Sequence, residues 1–142
     1  MIRTKDGKAR ISVRNLVEFV LRSGDIDNRI TAEARSDAMA AGSRLHRKLQ
    51  KAAGEGYHAE VFLQRTVESG GFEITVEGRA DGIIDGAVPV IDEIKGVYRD
   101  VLKMEEPVQV HLAQAMCYAC IYARSSKLPR IQIRMTYCNR DD

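Results

Sequence analysis

The spacing of apolar residues along the chain changes period three times, and each change marks a different kind of element. Val13, Leu16, Val17, Val20 and Leu21 recur at helical spacing behind Ser12, a residue able to cap, and predict a helix ending near Gly24. After the connector GDIDNR, a second helix is expected from about Thr31 to Ala53, stopped by Gly54. Its alanines, among them Ala34, Ala38 and Ala41, would let another element pack close. From Ala59 the period becomes two. Val61, Leu63 and Val67 alternate with Phe62, Gln64 and Thr66, and Gly70-Gly71 marks a hairpin. The return strand should run from Phe72 towards Asp85, with interruptions at Gly78 and Gly82. A third strand is expected from Val88 to Lys95, broken by Gly96. The loop YRDVLKMEE then leads to Pro107, which suits the start of a helix reaching about Arg124. Ile131, Ile133 and Met135 alternate with polar residues in a fourth strand.

This order places a helix between the third and fourth strands, so part of the sheet should be parallel. The expected fold is an α/β sandwich, with a central mixed four-stranded sheet flanked by helices. Residues 1–142 read as a single domain. The sequence stops directly after the last strand, so it is expected to be the N-terminal part of a larger polypeptide.

Composition narrows the class. No apolar run approaches a membrane span, and the polar start MIRTKDGKARIS lacks the apolar stretch of a secretory signal, so a cytoplasmic setting is expected. The net charge is only +2, but basic residues gather in two places. Arg3, Lys5, Lys8, Arg10, Arg14 and Arg22 face two acids, and Arg124, Lys127, Arg130 and Arg134 face none. Either group can form a strip for a nucleic-acid backbone or an ordinary solvated surface. Cys117, Cys120 and Cys138 form no even-numbered framework and fit a reducing compartment. They are expected to be buried small hydrophobes, and not ligands of a cluster.

The chemistry concentrates in GRADGIIDGAVPVIDEIKG, residues 78–96. Glu93 and Lys95 are two apart on a strand and leave the same face, while Asp92 leaves the other and is expected near an edge of the core. Pairing through DGAVP can bring Asp81 alongside Glu93. Two carboxylates can hold a hard divalent ion, and an ammonium beside them can orient water or neutralise charge on a phosphate. Ordinary cross-strand ion pairs would give the same spacing. His46 shares a helical stripe with Ala38, Gly42, Leu49 and Ala53, the face expected to meet the sheet, where a metal or a hydrogen-bond partner can satisfy it. On the last helix His111, Gln114, Tyr118 and Tyr122 form one polar–aromatic stripe, able to grip a strand or merely to bound the core.

Together these residues resemble the RecB-type branch of the PD-(D/E)XK nuclease superfamily. The resemblance rests on Gly42-Ser43-Arg44-Leu45-His46, Gly78-Arg79-Ala80-Asp81, Glu93-Ile94-Lys95 and Gln114-Ala115-Met116-Cys117-Tyr118, in that order. The stretches ISVRNLVEFVLRSGDIDNR and VHLAQAMCYACIYA are similar to a nuclease-like domain that precedes the motor in some bacterial XPD/DinG-type helicases. The resemblance implies a metal-dependent DNA nuclease, coupled to a helicase motor in repair or recombination and acting on single strands or ends. It implies Mg²⁺ or Mn²⁺ held by His46, Asp81, Glu93 and the carbonyl of Ile94. Lys95 would be the catalytic lysine, and Gln114 and Tyr118 would shape the site and contact DNA. A non-catalytic DNA-binding or docking module of the same fold is the competing expectation.

Overall fold

The computed structural model of the protein describes residues 3–21, 44, 46–97, 101–103 and 108–139. It opens with a strand pair that the apolar pattern does not predict. β1 (Arg3–Lys5) and β2 (Lys8–Ser12) pair antiparallel around Asp6 and Gly7, whose φ angles are 53° and 75°. Positive φ at both central residues is the tight-hairpin geometry that Asp-Gly sequences favour. β2 runs straight into helix α1 (Val13–Val20), because Ser12 is both the last strand residue and the N-cap. Its hydroxyl accepts from the Asn15 N–H at 3.0 Å.

Helix α2 is described over residues 46–52, and Gly54 follows it at φ 83°. The expected start of this helix at Thr31, its alanine-rich half and Gly42 lie outside the described residues. β3 (Tyr57–Ser69) and β4 (Phe72–Ile84) form a long hairpin across Gly70-Gly71. The expected interruptions of β4 do not occur. Gly78 and Gly82 lie within the strand because aromatic rings fill the space beside them. A Cβ on Gly78 would come within 2.6 Å of the Tyr118 hydroxyl, and one on Gly82 would collide with the Tyr57 ring.

β5 (Val90–Val97) runs through Gly96, where a break was expected. A short 3-10 turn at Val101–Lys103 precedes α3 (Gln109–Ser125) and β6 (Gln132–Asn139). Pro107, the expected helix start, lies outside the described residues. β5 and β6 are parallel, as a helical crossover requires.

The protein is thus α/β with a mixed sheet flanked by helices. Five strands follow the order β1-β2-β4-β5-β6, and β3 pairs with β4 off this path, giving six strands where four were expected. β3 pairs along the whole length of β4. Two other strands pair with different parts of β4: β2 runs parallel to Glu73–Glu77, and β5 runs antiparallel to Gly82–Ile84. Residues 78–81 lie between these two ladders, at a fork in the sheet. Below the fork, Val13 and Val17 of α1 join Ile83, Ile91, Tyr118 and Ile121 in one core. Each branched aliphatic side chain fully buried there contributes roughly 1.5–3 kcal/mol. Among the described residues no helix is long and apolar enough to cross a membrane.

Candidate metal centre

Asp81 sits at this fork. The β4–β5 ladder ends at Gly82↔Asp92, and beyond it the Asp81 carboxylate takes the place of a backbone acceptor. Its Oδ2 accepts from the Ile94 N–H at 2.6 Å, and its Oδ1 lies 3.3 Å from His46 Nδ1. The hydrogen bond to Asp81 outweighs burial and raises the His46 pKa above its ordinary value. Ile94, whose carbonyl is the expected ligand, meets Asp81 through its N–H.

Glu93 and Lys95 project together from β5, with Lys95 Nζ 3.4 Å from Glu93 Oε1. Glu93 is only 5% exposed, and its Oε2 has no hydrogen-bond partner among the described residues. Burial first, then the charge of Asp81, push its carboxyl up to about 8, against the pull of Lys95 and His46. A buried acceptor without a partner is costly unless a proton or a cation meets it.

Two residues at the site have no signal in the sequence pattern. Ligand atoms of His46, Glu60 and Asp81 all lie within 4.8 Å of one another. Gln50 Nε2 donates to Glu60 Oε1 at 2.9 Å and to the Asp81 carbonyl at 2.8 Å. Glu60 reads as a polar residue in an alternating strand, and only its tertiary position brings it to Asp81.

Gln114 and Tyr118 are buried one turn apart on α3. The Tyr118 ring lies against Gly78, and its hydroxyl is raised by burial and then by the charges of Glu93 and Asp81. Gln114 Oε1 is buried without a partner among the described residues. The rest of the stripe diverges: His111 Nδ1 is 3.1 Å from the Tyr137 hydroxyl, and Tyr122 packs against the core.

Asp92 belongs to a separate arrangement. It is 1% exposed and not at an edge of the core, which corrects the expectation. Tyr57 donates to its carboxylate at 2.7 Å, Thr136 at 2.6 Å, and Arg134 through two N–H groups at 3.1 and 3.0 Å. Burial pushes its pKa up, but these donors outweigh burial and hold it below the ordinary value.

The basic groups are partly neutralised. Lys8 pairs with Glu73, Arg10 with Glu77, Arg14 with Glu18, and Arg134 with Asp92. Arg22 lies outside the described residues. Cysteine burial is also less than expected, for Cys120 is exposed and Cys117 and Cys138 are half-buried. A cleft of about 420 Å³ lies between the two hairpin tips, lined by Lys8, Ser69, Phe72 and others. None of the candidate site residues lines it.

Against solved structures, the chain is similar to the crystal structure of SSO0001, with a TM-score of 0.69 and 20% sequence identity. The likeness is one of fold. It covers 99% of this chain and 66% of that one, so the chain spans just under two thirds of its neighbour's length. No protein-family model and no curated protein sequence matches the chain.

Proposed function

We propose that the protein is a metal-dependent DNA nuclease of the PD-(D/E)XK type, hydrolysing phosphodiester bonds at the fork between β4 and β5. The observation that carries this reading is the buried, unpartnered oxygen of Glu93, whose carboxylate is paired with Lys95 at 3.4 Å, on the strand next to the clustered His46, Glu60 and Asp81 ligand atoms. Carboxylate oxygens with one imidazole are a donor set for Mg²⁺ or Mn²⁺. His46, Asp81 and Glu93 would hold that ion, with Ile94 anchoring Asp81 through its N–H. When bound, the ion supplies Lewis acidity at a phosphate oxygen and lowers the pKa of a bound water.

The chain's own groups divide the remaining work. Lys95 neutralises charge on the phosphate and orients the attacking water. Glu93 fixes the Lys95 ammonium by the ion pair between them. Tyr118, whose ring lies against Gly78, closes the α3 side of the site, and Gln114 is buried one turn before it on the same helix. The exposed Arg124, Lys127 and Arg130, at and beyond the end of α3, offer contacts to a DNA backbone. Single strands or ends are the proposed substrates, and a helicase motor in the same polypeptide the proposed partner. Both rest on the resemblance in sequence.

The test is incubation of the purified chain with end-labelled single- and double-stranded DNA and Mn²⁺ or Mg²⁺, beside Asp81→Ala and Lys95→Ala. Metal-dependent cleavage that both substitutions abolish supports the proposal. DNA binding with no cleavage under either metal would replace it with a docking module.

A further inference from the structure

β3 and β4 keep a single register along their whole length, yet one position drops out of the ladder. Glu60 stands opposite Asp81, between the pairs Ala59↔Gly82 and Val61↔Ala80, and its φ is 54°. Left-handed backbone at a non-glycine residue carries a steric cost, and such outliers gather where function requires a set geometry. Here the geometry brings a third carboxylate within 4.8 Å of His46 Nδ1 or Nε2 and an Asp81 oxygen. Gln50 stands beside this break, its amide joined to Glu60 Oε1 and to the Asp81 carbonyl.

Carboxylates brought together are not by themselves a site. The independent observation comes from the neighbouring strand. Glu93 is 95% buried by its 5% exposure, its Oε2 has no partner among the described residues, and the charges of Asp81 and His46 both act on it. A cation held by the clustered His46, Glu60 and Asp81 would offset the Asp81 charge that acts on the buried Glu93 carboxyl.

We infer that Glu60 is a fourth protein ligand of the divalent ion, beside His46, Asp81 and Glu93, and that Gln50 is its positioning residue. The inference rests on the metal-dependent reading and adds a ligand to it. Three carboxylates and an imidazole leave few positions for water. Mg²⁺ keeps several waters and uses one or two carboxylates, so this set favours Mn²⁺.

Mn²⁺ alone is the probe, titrated into the 142-residue chain by calorimetry and followed by electron paramagnetic resonance. Glu60→Gln should weaken Mn²⁺ binding at least about 10-fold. Glu60→Gly should raise the unfolding temperature of the metal-free chain, because glycine accepts the left-handed backbone, and should weaken Mn²⁺ binding equally. Gln50→Leu should weaken binding alone but have no further effect in the Glu60→Gln background, since it acts through Glu60. Wild-type affinity in a folded Glu60→Gly chain, with binding lost in Asp81→Asn, would remove Glu60 and leave the metal-dependent reading standing. Absence of Mn²⁺ binding by the unsubstituted chain would overturn both.

Discussion

The Ile94 N–H donates to Asp81 Oδ2 at 2.6 Å, so one carboxylate both closes the fork between two strands and faces the candidate metal centre. The geometry of the candidate metal centre and that of the sheet are therefore joined at a single side chain. Asp81→Ala should cost about 1–3 kcal/mol of stability, the penalty for a buried N–H left without its acceptor. Asp81→Asn, which keeps an acceptor oxygen, should cost less. Chemical denaturation near pH 5 checks this, because Glu93 is protonated there and repulsion between the two acids is absent.

The metal-free chain should lose stability as pH rises from about 5 to 8. Glu93 titrates at about 8 in the folded chain and at about 4.3 when unfolded. The folded state thus holds more protons between these values, and stability falls with rising pH. His46 acts in the same direction: its raised folded pKa gives stability that is present below about 6.5 and lost above it. Glu93→Gln should flatten the profile and raise the metal-free unfolding temperature at pH 7.5 by roughly 3–6 °C. In the unsubstituted chain, Mn²⁺ should bind more tightly at pH 8 than at pH 6, with proton release measurable by calorimetry in buffers of different ionisation enthalpy.

Asp92 should behave in the opposite way. Its folded pKa is depressed, so its contribution is present above about pH 4 and lost as pH falls further. Asp92→Asn should cost about 1–3 kcal/mol, since the donors of Arg134, Thr136 and Tyr57 lose a charged acceptor. Mn²⁺ affinity, measured by calorimetry, should stay within about threefold of the unsubstituted chain, under about 0.7 kcal/mol.

Gly78→Ala should cost about 1–3 kcal/mol, the usual range for forcing a methyl into a filled space. The Tyr118 hydroxyl lies 2.6 Å from the added Cβ. Tyr118→Phe in the same chain should recover part of that loss. A double-mutant cycle by denaturation measures the coupling, and additive effects would show that the hydroxyl is not what the methyl meets.

What the sequence reveals depends on whether the determinant is local. Ser12 as a cap, Gly70-Gly71 as a turn and the parallel crossover through α3 follow from spacing and turn chemistry. The Asp6-Gly7 hairpin carries an equally local signal, but Lys8–Ser12 has too few apolar residues to read as a strand. Gly78 and Gly82 look like strand breaks because the rings of Tyr118 and Tyr57, which require them, come from elsewhere in the chain. Alternation correctly separates Asp92 from Glu93, yet the burial of Asp92 depends on β3 and β6, which spacing within β5 cannot show. Asp81, Glu93 and Lys95 are legible because two strands and their short connection place them. Glu60 is not, since its approach to Asp81 depends on a backbone angle of 54°.

In the proposed reaction a bound divalent ion and Lys95 together cleave DNA at this fork. The most direct measurement is single-turnover cleavage of end-labelled DNA by the unsubstituted chain and by Lys95→Ala, with Mn²⁺ occupancy determined in the same samples. Occupancy should be comparable in both, with a cleavage rate at least about 100-fold lower in Lys95→Ala, in keeping with the loss of one transition-state-stabilising group. Full occupancy with no cleavage by the unsubstituted chain, or undiminished cleavage by Lys95→Ala, would contradict it.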